Sequence, residues 1–219
     1  MNKNLKTLLS LYLMSISIFV YAQKTKHKFR HSDKSSPTSF SIQNLESPNR
    51  DTYQKPDKVI EYLGNLEGKT IADIGAGSGY FSMRLAQKCS KVIAIDIDTA
   101  LQKLLSQRIK QAEISNIELR TSSHDSPMLA ENEVDIVFLV NTYHHIKNRA
   151  EYFKKVKKGI KQDGKLVVVD FFKVQTPVGP PVKHKVSIDE TIAELKEAGF
   201  AHFELEVNLL PYQFILTAK

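Results

Sequence analysis

Two residue types are almost missing from this 219-residue chain: it has one cysteine and no tryptophan. A lone cysteine cannot close an internal disulfide, and it excludes a CxxC zinc ribbon, an iron–sulfur cluster and a dithiol redox centre. A membrane-spanning length of apolar residues is also lacking near the start, where Leu8 to Val20 makes only 13 residues against the roughly 20 that a spanning helix needs. What is present, 42% hydrophobic and 25% charged residues, is the make-up of one ordinary globular domain and excludes disorder throughout.

The formal charge of +7 suggests a nucleic-acid partner until the charges are located. Lys3 and Lys6 carry +2, and Lys24, Lys26, Lys28, Arg30 and Lys34 against Asp33 carry +4, so the remainder is +1. A phosphate-tracking groove is therefore not indicated, and nucleic acid is not the expected partner.

The first 22 residues have the pattern of a secretory signal peptide: a basic start, the short apolar run, then Val20-Tyr21-Ala22 as a cleavage site. A cut after Ala22 is expected to export the domain to the periplasm or medium with no stable membrane span. Residues 23–49 are basic and Ser-rich, cannot bury a core, and read as a flexible linker. Residues 50–219 remain for one folded domain.

Within that domain, apolar β-rich runs alternate with helical patterns. Pro56 opens a helix that Gly64 ends. Strands are expected at 70–74, 91–96, 117–121, 134–140 and 165–171, with helices over about 80–88, 99–112 and from a cap at Asn148. Asp163-Gly164 is expected to turn the chain into the run Leu166 to Val169, which suits a strand buried on both faces. Ser187 with Glu190 forms a capping box, Gly199 ends that helix, and two short strands at 203–207 and 212–217 form an antiparallel pair. The alternation predicts an α/β doubly wound, Rossmann-like sheet with helices on both faces.

The segment DIGAGSGYF, residues 73–81, lies between the first strand and the next helix. Gly75, Gly77 and Gly79 let a ligand approach main-chain atoms. The spacing is G-x-G-x-G, without the dinucleotide fingerprint or a phosphate-loop lysine, which disfavours an NAD-dependent oxidoreductase. Asp96 closes the second strand in AIDID, where a carboxylate can accept two hydrogen bonds from a ribose diol and repels a 2′-phosphate. Asp98 reads as the cap of the next helix.

These residues resemble the class I S-adenosylmethionine-dependent methyltransferases: DIGAGSGYF their cofactor loop, AIDID their acidic strand end, KQDGKLVVVD their fifth-strand entry. Over residues 47–217 the chain is more similar to a bacterial subgroup with RDxxQKP, TYHH and LPYQ motifs, here Arg50-Asp51 with Gln54-Lys55-Pro56, Tyr143-His144-His145, and Leu210-Pro211-Tyr212-Gln213. The resemblance implies a seven-stranded, mostly parallel sheet with an antiparallel last strand, and S-adenosyl-L-methionine as cofactor. It implies that Gly75, Ala76, Gly77 and Gly79 line the methionine and ribose portion, with Asp73 near the amino group, Asp96 on the ribose and Ile97 beside it. Ser122 to Asp125 would flank the adenine, with Asp125 and Ser123 as candidates. Asn141, a further cofactor-binding candidate, stands where the subgroup usually has Asp, and Tyr53 where it usually has Trp.

Methyl transfer is an in-line displacement, and a weakly acidic nucleophile also needs a base, for which His suits neutral pH. Tyr143, His144 and His145 are the candidate catalytic residues. Neighbouring side chains in a turn point apart, so one histidine is expected to face the substrate, His144 being favoured. A metal is not expected, because no third ligand stands at motif spacing. His184 lies in a stiff loop that either covers the substrate or is solvated. The expected function is methyl transfer to a small-molecule acceptor; the alternative is an exported, non-catalytic binding module that keeps a nucleotide-type pocket.

Overall fold

The computed structural model describes residues 45–219. The leader and the linker up to residue 44 lie outside the described residues. Leu45 to Asn49, assigned from sequence to the linker, contribute to the fold: helix α1 spans Pro48–Gln54 and α2 spans Pro56–Tyr62, with Lys55 between them at φ 42°. Glu46 accepts hydrogen bonds from the Ser78 hydroxyl and from Arg108.

The seven strands are β1 Thr70–Ile74, β2 Lys91–Asp96, β3 Ile117–Thr121, β4 Val134–Val140, β5 Ile160–Phe171, β6 Phe203–Glu206 and β7 Gln213–Ala218. Their order across the sheet is β3-β2-β1-β4-β5-β7-β6, and only β7 runs against its neighbours β5 and β6. The chain winds outward from β1 to β3, then returns to place β4 on the other side of β1. The carboxyl ends of β1 and β4 thus border the crevice where ligands bind in such sheets.

Alternation along the strands supplies two cores. On β4, Val137 and Leu139 face one layer with Tyr152, Phe153 and Val156 of α5 (Arg149–Gly159) and Leu195 of α6 (Ile188–Glu197). Ile136, Phe138 and Val140 face the other, with Val59 and Ile60 of α2 and Leu85 of α3 (Ser82–Leu85). Helix α4, Thr99–Gln111, sets Leu105 against Ala76 and Ala94. Because β5 meets side chains on both faces, its run from Leu166 to Phe171 is buried throughout, as a central strand requires.

Several local expectations change. The helix expected over 80–88 is one turn of four residues flanked by irregular turns. Asn148 occupies the N-cap position of α5 at φ 48° but gives no side-chain cap. Residues Lys161 to Gly164 lie within β5, where the register with β4 shifts. Gly164 is needed there for close approach, since a Cβ would lie 2.6 Å from the Asp135 carbonyl oxygen. The capping box at Ser187 and Glu190 forms as expected.

Candidate active site

A cavity of about 610 Å3 opens at the crevice between β1 and β4. Its first wall is the loop after β1. The Gly75 and Ala76 N–H groups donate to the Ile95 carbonyl at 2.8 and 3.1 Å, which pins the loop to the end of β2. Gly75 has φ 78°, and a Cβ there would lie 2.2 Å from the Thr142 hydroxyl oxygen, so this glycine lets the β1 and β4 turns touch. Gly79 has a different job: its Cβ would lie 2.2 Å from Leu105, and the residue does not line the cavity. It permits packing of the loop on α4, not contact with a ligand.

Asp96 ends β2 at the cavity. Its Oδ2 accepts the Gly77 N–H at 2.7 Å and its Oδ1 the Asp98 N–H at 2.9 Å. Each carboxylate oxygen keeps acceptor capacity for a ligand. Asp98 caps α4 through the Ala100 and Leu101 N–H groups, as read from sequence. Asp73 is buried and accepts the Ser82 hydroxyl at 2.6 Å; burial raises its pKa to about 6, against the opposing pull of that hydrogen bond. Ile97, 49% exposed, and Ser123 also line the cavity. Asp125 does not: it is exposed outside this wall, its carbonyl accepting from Lys155, and His124 faces the cavity instead.

The second wall comes from residues distant in sequence. Arg50 is buried at the cavity, with its guanidinium 3.8 Å above the Tyr80 ring and one N–H donated to the Leu45 carbonyl. Its Nε is buried with no hydrogen-bond partner among the described residues. Burial lowers its pKa from the ordinary value. A buried, incompletely satisfied cation in a cavity is costly unless an anion joins it.

Asn141, at φ 56° after β4, belongs to a closed ring of amides. Gln54 donates to Gln213 at 3.0 Å, Gln213 donates to Asn141, and Asn141 donates to Gln54 at 3.1 Å. Asp at 141 could accept from both partners but donate to neither, so Asn suits this ring. The ring joins the RDxxQKP and LPYQ motifs to the residue just before TYHH. Tyr53 lines the cavity and packs near Phe171 and Tyr212, with centroids 6.3 and 6.5 Å away.

The three candidate catalytic residues separate. Tyr143 is 1% exposed and stacks on Phe153; its hydroxyl donates at 2.7 Å to Glu194, which also binds Arg149. Burial raises its pKa. It ties the turn after β4 to α6 and does not reach the cavity. His144 is also turned away, its ring held by Asp170 of β5. His145 lines the cavity, contrary to the preference for His144. The residue is exposed as a whole, and partial desolvation of its ring at the cavity, with His144 and His184, lowers its pKa, while Asp170 opposes them. His184 is exposed and does not line the cavity. Arg50, Gln54, Gln213 and Asp170 were missed as site residues, although all four lie in quoted motifs.

Residues 72–168 match the family model described as a methyltransferase domain. The chain carries a methyltransferase domain. The domain resembles a SAM-dependent methyltransferase from Aquifex aeolicus with a TM-score of 0.77 and 26% identity, over 81% of this chain and 96% of that one. It shares the fold of phosphoethanolamine N-methyltransferase 2 from Haemonchus contortus, solved in complex with S-adenosyl-L-methionine, at a TM-score of 0.61 and 18% identity over 70% of this chain and 38% of that one. In sequence it is 20% identical over 147 residues to the uncharacterized methyltransferase YcgJ of Bacillus subtilis, covering 66% of this chain. That match spans 58% of the relative's length. S-adenosyl-L-methionine is the cofactor of this methyltransferase fold, and the cavity fits its charges: a carboxylate with open acceptor sites, a second buried carboxyl, and a buried cation whose Nε has no partner among the described residues. Among the described residues, no helix is long and apolar enough to cross a membrane, and no group of three His, Cys, Asp or Glu is arranged to hold a metal ion.

Proposed function

We propose that this protein is an S-adenosylmethionine-dependent methyltransferase acting on a small molecule. The observation that carries the reading is the convergence, in one cavity at the β1–β4 crevice, of the Asp96 carboxylate, the pinned Gly75–Gly77 loop and the buried Arg50, whose Nε has no partner among the described residues. When bound, S-adenosylmethionine supplies an electrophilic methyl group on a sulfonium. Asp96 holds the ribose diol, Asp73 takes the amino group, Arg50 takes the carboxylate, and Ser123 with Ile97 borders the base. Gly79 acts from behind, by keeping the loop on α4.

A cavity of about 610 Å3 falls within the roughly 300–1,000 Å3 typical of small-molecule sites, which favours a small acceptor. Tyr53 and Asn141 border the space left to it. Holding two reactants in line contributes up to roughly 7–11 kcal/mol to rate, and the amide ring and aromatic wall provide the rigidity this requires.

The test is release of S-adenosylhomocysteine by the full chain when small-molecule, RNA and protein fractions of an extract are supplied separately. Turnover with the small-molecule fraction alone is expected. Turnover only with RNA or protein contradicts the acceptor class; cofactor binding without turnover in any fraction favours the non-catalytic binding module. We also propose export, from the basic start, short apolar run and Val20-Tyr21-Ala22. Mass spectrometry of the mature amino terminus tests this, and a cytosolic protein starting at Met1 contradicts it.

A further inference from the structure

The two histidines after β4 occupy unlike environments. The His144 side chain is 3% exposed, with Nδ1 2.9 Å from both oxygens of Asp170, itself 4% exposed. Asp170 also accepts the main-chain N–H groups of His144 at 3.3 Å and Phe171 at 2.7 Å. Facing only donors, the carboxylate holds His144 with its proton on Nδ1. The His145 ring lies against His144, with centroids 4.1 Å apart and planes tilted by 45°, and forms part of the cavity wall. A buried ionisable pair is weak evidence for stability, because removing both groups from water is costly. The main-chain contact to Asp170 alone would tie this turn to β5.

We propose that Asp170 and His144 are positioning residues for His145, and that His145 takes the proton from an acceptor whose attacking atom is an O–H or N–H group. This rests on the methyltransferase reading above. The X–H bond breaks, its electron pair stays on X, and the proton occupies a ring nitrogen of His145 before leaving to solvent. The charged neighbours are His144 beside it, Asp170 from β5 and His184 from the loop before α6. Lys147 lines the same cavity, whereas Lys185 gives its amine to the Val174 carbonyl and Thr176 hydroxyl. His144 and His184 disfavour a proton on His145; Asp170 favours it.

The test is NMR titration of isotope-labelled histidines in the full chain with saturating S-adenosylhomocysteine, His145→Gln identifying the His145 signal. The parent is expected to show His144 with its proton on Nδ1. His144→Phe should raise the His145 midpoint and Asp170→Asn should lower it, both with ligand affinity within about twofold of the parent. A His145 midpoint that is unmoved or lowered in His144→Phe overturns the proposal. If Asp170→Asn does not fold, His144→Gln provides the second reading, with the midpoint again expected to move. A parent that binds no S-adenosylhomocysteine contradicts the methyltransferase reading, and the same titrations without ligand still decide the coupling. Where turnover is seen, the acid limb of the rate profile should follow the His145 midpoint in each variant; a limb that stays in place contradicts the proton-taking role.

Discussion

The two walls of the cavity are built by different means. The β1–β2 wall uses main-chain groups and two aspartate side chains within 24 residues, Asp73 to Asp96, and its geometry follows from strand ends and glycines. The β4 wall uses side chains gathered from across the chain: Gln54 meets Gln213 across 159 positions, and His144 meets Asp170 across 26. The first wall can be rebuilt locally. The second exists only when the whole sheet has formed, because β7 must pair with β5 before Gln213 arrives.

The largest expected effect breaks the first wall. Asp96→Ala removes the carboxylate that receives both the Gly77 and Asp98 N–H groups and, on the proposed reading, the ribose. Calorimetry should show S-adenosylhomocysteine affinity falling by about 100-fold or more, given that hydrogen bonds to charged groups contribute about 1.5–3 kcal/mol each.

The next concerns Asp73. Its folded pKa of about 6 lies above the ordinary 3.8, so the protonated form is favoured in the fold. That contribution is fully present below about pH 4 and is lost as pH rises through about 6, amounting to about 3 kcal/mol. Denaturant unfolding of the ligand-free protein should show this decline, and Asp73→Asn should flatten it. A parent slope identical to the variant's contradicts the burial account.

Breaking the second wall is expected to act through stability. Gln213→Leu leaves the Gln54 donor and the Asn141 acceptor without their partners. The cost should be about 2 kcal/mol in urea unfolding, the range for buried polar groups left unpaired. Asp125→Ala sharpens the comparison from the other side. Asp125 is exposed and outside the cavity, so cofactor affinity should change by less than about 0.5 kcal/mol; a large loss would restore it to the adenine site.

The same contrast explains what could be read from sequence. Strand runs such as Leu166 to Val169, the Ser187–Glu190 box and the Asp96 position follow from local periodicity and spacing, so the sheet and first wall were legible. Gly79 is read from sequence as lining the ligand, yet it lies outside the cavity and its purpose depends on Leu105, 26 positions away. Tyr143, His144 and His145 are consecutive, and no periodicity says which enters the cavity; Glu194 and Asp170 decide, by claiming the first two. Likewise, Gln54 and Gln213 are ordinary polar residues until β7 brings them together. Motif co-occurrence marked these segments, but not their shared hydrogen bonds.

The central claim is that the first wall binds S-adenosylmethionine. Its most direct test is calorimetric titration of the full chain and of Asp96→Ala with S-adenosylmethionine and S-adenosylhomocysteine. Micromolar binding of both ligands by the parent, lost in the variant, is the expected result. No binding by a parent shown to be folded, or equal binding by the Asp96→Ala variant, would contradict the account.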